Sequence, residues 1–441
     1  MPVFQPRTGA LTTAQRIRSI IAGSSGNLIE YYDWYVYAAF SMYFARSFFP
    51  PGNATTELLR SAAVFAIGFL MRPVGGWLMG LMADRYGRRA ALSLSIIAMC
   101  TGSLAIAVCP TYGRIGLAAP SVLLFARLLQ GLSLGGEYGA SATYLSEIAP
   151  PARRGFYASF QYVTLVMGQL LALVVLLVLQ FVLLSPAQLG AWGWRVPFGI
   201  GALLALSILW FRRGMAESEQ FSAATRDKNA HGGLRVLLHH PREVLGVCGL
   251  TLGGTVAFYT FTIYMQKYLV NTAGLSKEQS TLVSTASLAV FALVQPAFGA
   301  LSDRMGRRRL LLSFGVIGCL CTMPLMQALS TVHSPLAAFG LVTAALLGIS
   351  GYTSINAVVK AELFPTRVRA LGVALPYALT VSVFGGTAEY VALWFKQIGH
   401  EGLFYWYVTG CIACSLLTVL FVLPGHDRIT TEGRPPAPAT K

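Results

Sequence analysis

The chain has 441 residues, 55% of them hydrophobic and 11% charged, with a formal net charge of +16 and a mean hydropathy of +0.61. A soluble globular domain carries about 25% charged residues, so this composition excludes an ordinary water-soluble fold and points to a chain solvated by lipid. The positive charge sits in the tails and alternate loops, with no basic patch interleaved with aromatics, which excludes a nucleic-acid-binding module.

Apolar runs begin near residues 17, 58, 90, 120, 155, 193, 244, 279, 309, 336, 368 and 402, and each has the length of about 20 residues that a bilayer span requires. Uninterrupted runs of this length satisfy their own backbone groups in hydrocarbon only as helices. The basic loops that alternate between them place both termini on the cytoplasmic side. Arg16 and Arg18 lead into the first run like the start of a signal peptide. Glu30 and Asp33 interrupt its apolar core, however, and no small-residue cleavage site follows, so it is read as a retained span. That first helix carries Asn27, Glu30 and Asp33, with Tyr31, Trp34 and Tyr37 around them, a polar and aromatic face suited to a cavity or to simple packing. The second helix holds Arg72 directly before Pro73 and ends in G-x-x-x-D-R-x-G-R-R, formed by Gly80, Asp84, Arg85, Gly87, Arg88 and Arg89.

In the fourth helix Arg127, Gln130, Glu137 and Ser141 fall at i, i+3, i+10 and i+14, one polar stripe on an apolar rod. It is followed by E-I-A-P-P-A-R-R-G, with Glu147, Pro150, Arg154 and Gly155. The seventh helix repeats the stripe with Tyr259, Thr262 and Gln266, and the tenth with Tyr352, Asn356 and Lys360 at i, i+4 and i+8. Lys360 is assigned to the cytoplasmic end of its helix with Glu362, and Glu389 of the eleventh helix to helix packing. Cys411 and Cys414 have redox-motif spacing, but inside an apolar helix they are read as small fillers. The six histidines have no second ligand at metal spacing, so no metal is assigned.

The decapeptide recurs about half a chain later as Gly299, Asp303, Arg304, Gly306, Arg307 and Arg308, and the E-x-x-P motif recurs as Glu362, Pro365, Arg369 and Gly372. Two paired motifs at nearly equal offsets, each about half the chain, mean a duplicated unit. The expected fold is an all-α polytopic membrane protein with twelve transmembrane helices in two pseudo-symmetric six-helix bundles. Its parts are a tail (1–16), the first bundle (17–213), a central loop (214–243), the second bundle (244–424) and a second tail (425–441), both tails and the loop cytoplasmic. Glycine permits close helix approach in each decapeptide, Asp84 or Asp303 can pair with an arginine or a helix N-terminus, and the arginines anchor at the anionic surface, which together describe a conformational latch.

These decapeptides resemble the signature loop of the major facilitator superfamily. G-N-L-I-E-Y-Y-D-W-Y-V-Y (26–37), R-L-L-Q-G-L-S-L-G-G-E-Y-G (127–139) and W-G-W-R-V-P-F (192–198) are similar to its metabolite:proton symporter branch. F-Y-T-F-T-I-Y-M-Q-K-Y-L-V-N-T-A-G (258–274) and F-G-G-T-A-E-Y-V-A-L (384–393) are similar to the α-ketoglutarate carriers within that branch. The resemblance implies a cavity lined by the first and fourth helices of each half and a proton-coupled symporter of the bacterial inner membrane. The implied substrate is α-ketoglutarate, with citrate, shikimate or proline/betaine as alternatives within the branch. A single chain would act as a monomer, without cofactor, protons being the coupling ion.

A dicarboxylate needs cationic partners, and guanidinium offers a matching fork. Arg72 and Arg127 are the expected ligands, with Tyr31, Gln130, Tyr259, Gln266, Tyr352 and Asn356 as polar contacts. Arg72 could instead satisfy carbonyls at the Pro73 kink, and Arg127 could be the structural partner of Glu137 or Asp33. Asp33, Glu30 and Glu137 are the candidate proton carriers, or else they neutralise the arginines. An enzyme is not expected, because no nucleophile, metal cluster or phosphate loop is present.

Overall fold

The computed structural model describes residues 13–86, 88–135, 149–212, 234–365 and 368–423. Among these the chain is helical without a strand, as the run lengths require. The helices are α1 (Thr13–Phe48), α2 (Ala54–Tyr86), α3 (Arg88–Val108), α4 (Ala118–Leu134), α5 (Arg154–Leu183) and α6 (Val196–Arg212). They continue as α7 (Pro241–Asn271), α8 (Lys277–Met305), α9 (Arg307–Thr331), α10 (Pro335–Leu363), α11 (Arg369–Thr380, a π turn, then Ala388–Gln397) and α12 (Glu401–Val422). Over the described residues, eight helical stretches are long and apolar enough to cross a membrane, while those of α3 and α4 are apolar but shorter.

In the first half α1 packs on α5, α2 on α4, and α3 on α4 and α6; in the second, α7 and α9 pack on α12, and α8 and α9 on α10. The halves meet along α5 with α8 and along α2 with α11. Lipid offers no hydrophobic drive for helix association, so small residues must let backbones touch. A Cβ on Gly131 of α4 would lie 2.0 Å from the Gly68 carbonyl oxygen of α2, and one on Gly75 of α2 would lie 2.1 Å from the Leu132 carbonyl oxygen. Large apolar side chains such as Trp77, Leu293 and Leu336 are left on the outside, where lipid is their solvent.

Several helices are not regular. Pro73, Pro296, Pro324 and Pro376 sit inside α2, α8, α9 and α11. Single π turns occupy Thr260–Tyr264 of α7 and Val381–Gly385 of α11, each equivalent to one inserted residue and a change of helical face beyond it.

Contacts between the halves occur toward both ends. At the end carrying the basic loops, the Asp303 carboxylate accepts the backbone N–H groups of Gly155 (2.8 Å) and Phe156 (3.0 Å), where α5 begins. Of the two partners expected for the decapeptide aspartate, Asp303 meets the helix N-terminus, where unpaired N–H groups and the macrodipole favour an anion. Glu362 of α10 pairs with Arg307 at the start of α9 and lies 3.7 Å from Arg154 across the halves. Gly155 is pressed against Gly299, so a Cβ on Gly155 would fall 2.5 Å from the Gly299 carbonyl oxygen. Gly306 has φ +91°, a left-handed geometry that suits glycine at the α8–α9 turn. Arg304 is exposed, and Arg369 donates to the Phe364 carbonyl (3.4 Å). The side chains of Asp84, Arg85 and Arg88, the surroundings of Gly80, and all of Gly87 and Glu147 lie outside the described residues. At the opposite end Lys277 of α8 donates to the Met42 carbonyl of α1 (3.1 Å) and sits 4.6 Å from the Tyr43 ring, and Gln397 of α11 donates to Thr56 of α2 (3.4 Å). Among the described residues the two halves are thus in contact at both ends.

Candidate functional site

The glycine contacts between α2 and α4 bring two buried arginines to one aromatic ring. The Arg127 guanidinium lies 3.8 Å from the centre of Trp34 and 4.5 Å from that of Tyr37, and Arg72 lies 5.3 Å from Trp34 and 4.7 Å from Phe69. Cation–π attraction in a desolvated site contributes about 2 kcal/mol or more, which helps to hold two like charges in the interior. Arg127 Nη1 donates to Gln130 Oε1 (2.7 Å), while its Nε and Nη2 have no hydrogen-bond acceptor. Arg72 Nε is likewise without one. Its guanidinium faces the Tyr259 hydroxyl, with Tyr31, Tyr35 and Tyr377 in electrostatic reach. Arginine donors without acceptors in a buried space are a costly arrangement that an anionic ligand would relieve.

Asp33 does not touch Arg127 directly. Gln130 Nε2 donates to Asp33 Oδ2 (3.0 Å) and to Ser103 Oγ (2.8 Å), and the Ser103 hydroxyl donates to the same carboxylate, so Gln130 relays between the arginine and the acid. Glu30 accepts from Ser95 of α3 (3.4 Å). The face expected on α1 is therefore split. Glu30 and Asp33 turn toward α3 inside the first half, whereas Tyr31 and Trp34 turn to the arginines. Glu137 lies outside the described residues.

From the second half, Lys360 enters fully buried, donating to the Tyr352 hydroxyl (3.1 Å) and Asn356 Oδ1 (3.0 Å), with its ammonium 4.3 Å above the Tyr377 ring. The stripe Tyr352, Asn356, Lys360 thus stands as one face. The expectation that Lys360 belongs with Glu362 in the basic-end latch is corrected: the two diverge because Lys360 is two residues earlier on the helix, on a different side of α10. Gln266 turns to α8, donating to Thr281 (3.2 Å), and lines a small cavity with Tyr35, Gln169 and Thr262.

Two residues of this interior, Tyr377 and Lys267, escaped the sequence reading. Tyr377 follows Pro376 in α11, a helix outside the expected lining set. Lys267 and Glu389 form a buried ion pair between α7 and α11, Nζ to Oε1 2.5 Å, with side chains 1% and 5% exposed. Glu389 was expected to be a packing group, and the pairing gives it a charged partner. The available signal was the charge of Lys267 itself, in an otherwise apolar run.

Among the described residues, no group of three or more His, Cys, Asp or Glu side chains is arranged to hold a metal ion. What converges is two arginines and a lysine with several tyrosine hydroxyls, a site for a small polyanion.

A family model described as Major Facilitator Superfamily matches residues 25–388. The chain is 54% identical to the alpha-ketoglutarate permease of Escherichia coli (strain K12), over 93% of this chain and 94% of that protein. It is 33% identical to a citrate-proton symporter of Salmonella typhi, over 97% of this chain and 99% of that one. Among solved structures, the partially occluded inward-open xylose transporter XylE from E. coli matches with a TM-score of 0.68 at 19% identity, over 93% of this chain and 97% of that one.

Proposed function

The chain belongs to the major facilitator superfamily, and from that premise we propose that it imports α-ketoglutarate by proton symport, its two halves alternating around the buried arginine cluster. The observation that carries the substrate is the 54% identity, along nearly the whole chain, to a permease named for α-ketoglutarate. The geometry is in keeping with a dicarboxylate. Arg72 and Arg127 are the carboxylate ligands, with Nε and Nη2 of Arg127 available as donors. Tyr31, Tyr259, Tyr352, Asn356 and Lys360 supply further polar contacts, Gln130 couples the ligand site to Asp33, and Gln266 shapes the small cavity beside it. Asp33, Glu30 and Glu137 are the proton carriers. Because Gln130 joins Asp33 to Arg127, a proton on the acid and a substrate on the arginine act on one shared hydrogen-bond network.

Electrostatics bound the stoichiometry. Each charge moving across 100 mV is worth about 2.3 kcal/mol, so a dianion entering an inside-negative cell alone meets about 4.6 kcal/mol. Two protons make the step electroneutral, and the proposal therefore requires at least two. The protein acts as a monomer in the bacterial cytoplasmic membrane, with both termini and the basic loops inside, and uses no cofactor besides the coupling protons. The motif residues Gly80, Asp84, Arg85, Gly87, Arg88, Gly299, Asp303, Arg304, Gly306, Arg307, Glu147, Arg154, Glu362 and Arg369 act as the cytoplasmic latch.

The test is uptake of radiolabelled α-ketoglutarate into proteoliposomes under an imposed pH gradient, with citrate, succinate, shikimate and betaine as competitors. Competition confined to dicarboxylates, with uptake stopped by a protonophore, is the expected result. Preferred uptake of citrate or betaine would replace the substrate, and indifference to the protonophore would remove the symport.

A further inference from the structure

We propose that Lys267 and Glu389 form a second, proton-exchangeable site on the second half, in which a proton taken by Glu389 releases the Lys267 ammonium to a carboxylate of the transported anion. This rests on the symport reading above and extends it, because every proton carrier named there lies in the first half.

The position of the pair follows from the π turns of α7 and α11. In an unbroken α-helix, Lys267 would stand about 80° round from Tyr259, and Glu389 about 120° round from Tyr377, at about 100° per residue. The extra residue of the turn at Thr260–Tyr264 returns Lys267 to within about 20° of Tyr259, and the π turn at Val381–Gly385 followed by the turn at 386–387 likewise shifts Glu389 away from its unbroken-helix position to meet Lys267. Tyr259 faces Arg72 and Tyr377 faces Lys360, so the turns swing both charges toward the interior that the ligand site occupies. Glu389 is also in electrostatic reach of Tyr37, whose ring lies beneath the Arg127 guanidinium, which sets the pair across from the first half's cluster.

A structural role alone accounts poorly for such a pair. Two buried ions give up hydration that their mutual attraction rarely exceeds, and a well-packed apolar pair is often as stable or more so. Ionisable residues at membrane depth accordingly mark ion and proton pathways.

The groups that face Glu389 are few. Lys267 comes from α7 and Tyr37 from α1. Toward the same end of α11, Lys396, Glu401 of α12, Tyr264 and Thr272 form a separate bonded cluster that neutralises itself. The side chains packed on α11 from α2 include the apolar Phe69.

The step balances simply. With the outer end open, a proton from water bonds to a Glu389 carboxylate oxygen, the ion pair becomes a neutral acid beside an ammonium, and one substrate carboxylate becomes the counter-ion. When the substrate leaves on the other side, Glu389 returns its proton to water and the pair re-forms. With one proton carried by the first-half network and one by Glu389, the count reaches the two that a dianion requires.

The test uses the full chain in proteoliposomes and compares gradient-driven accumulation with equilibrium exchange in the same preparation. With an imposed gradient of about one pH unit and the membrane potential held at zero with potassium and valinomycin, losing one coupled proton lowers the steady-state accumulation ratio by about tenfold. That loss is expected for Glu389→Gln. It is expected equally for the double variant Lys267→Met with Glu389→Gln, which leaves no unpaired charge and carries the test if the single variant does not fold. Wild-type accumulation by the double variant would overturn the proposal and make the pair structural. If the wild-type chain accumulates a different carboxylate, the substrate assignment falls, and the same ratio measured with that solute still decides the role of Glu389.

Discussion

At the residue scale, the interior depends on arginine's shape as much as its charge. Arg127 is stacked on Trp34 and joined to Gln130 through one nitrogen, leaving other donors for a ligand. Lysine would keep the charge and lose both the flat stacking and the fork. Arg127→Lys and Arg127→Ala are therefore expected to reduce uptake alike, by about 30-fold or more, given that truncating one member of a buried charged contact costs about 2 to 5 kcal/mol. Initial-rate uptake with protein levels measured in the membrane checks this, and near-normal transport by the lysine variant would remove the bidentate role. Lys360→Ala should raise the half-saturation concentration, because its ammonium stands beside Tyr352 and Tyr377 in the interior. A change in turnover alone would return it to the latch.

At the element scale, the basic end is held by a carboxylate on a helix N-terminus and by two glycines in backbone contact. Asp303→Asn keeps one acceptor and removes the charge, at a cost of about 1 kcal/mol or more to the closed arrangement. Turnover should change more than substrate affinity, as should also hold for its duplicate Asp84. An effect confined to affinity would contradict a latch. Gly155→Ala puts a methyl where Ser302, Gly299 and Asp303 already stand, so α5 and α8 must separate there. A cysteine placed in the cavity is then expected to label faster from the basic end, and unchanged labelling would count against that closure.

For the whole molecule, the decisive property is electrical. A dianion with two protons moves no net charge, so a potassium diffusion potential imposed on proteoliposomes should leave uptake unchanged while a pH gradient drives it. Stimulation by an inside-negative potential would mean three or more protons, and inhibition would mean one. The halves touch at both ends, so separating them in either direction requires breaking polar contacts, Lys277 to Met42 at one end and Asp303 to Gly155 at the other.

The class of the protein was legible before any fold was known. Apolar run lengths, the duplicated decapeptide and the stripe Tyr352, Asn356, Lys360 are local or periodic signals, and helices in lipid have little freedom to depart from them. Arg72 and Arg127 were legible because an uncompensated charge in an apolar run is conspicuous whatever surrounds it. Which charges meet depended on how the helices pack. That packing turned Glu30 and Asp33 toward α3, took Lys360 from the latch into the interior, and joined Lys267 to Glu389. Periodicity ranks the faces of one helix but does not say which neighbour each face meets, and where a π turn intervenes, as before Lys267 in α7 and Glu389 in α11, the added residue shifts every later side chain by about 100° as well.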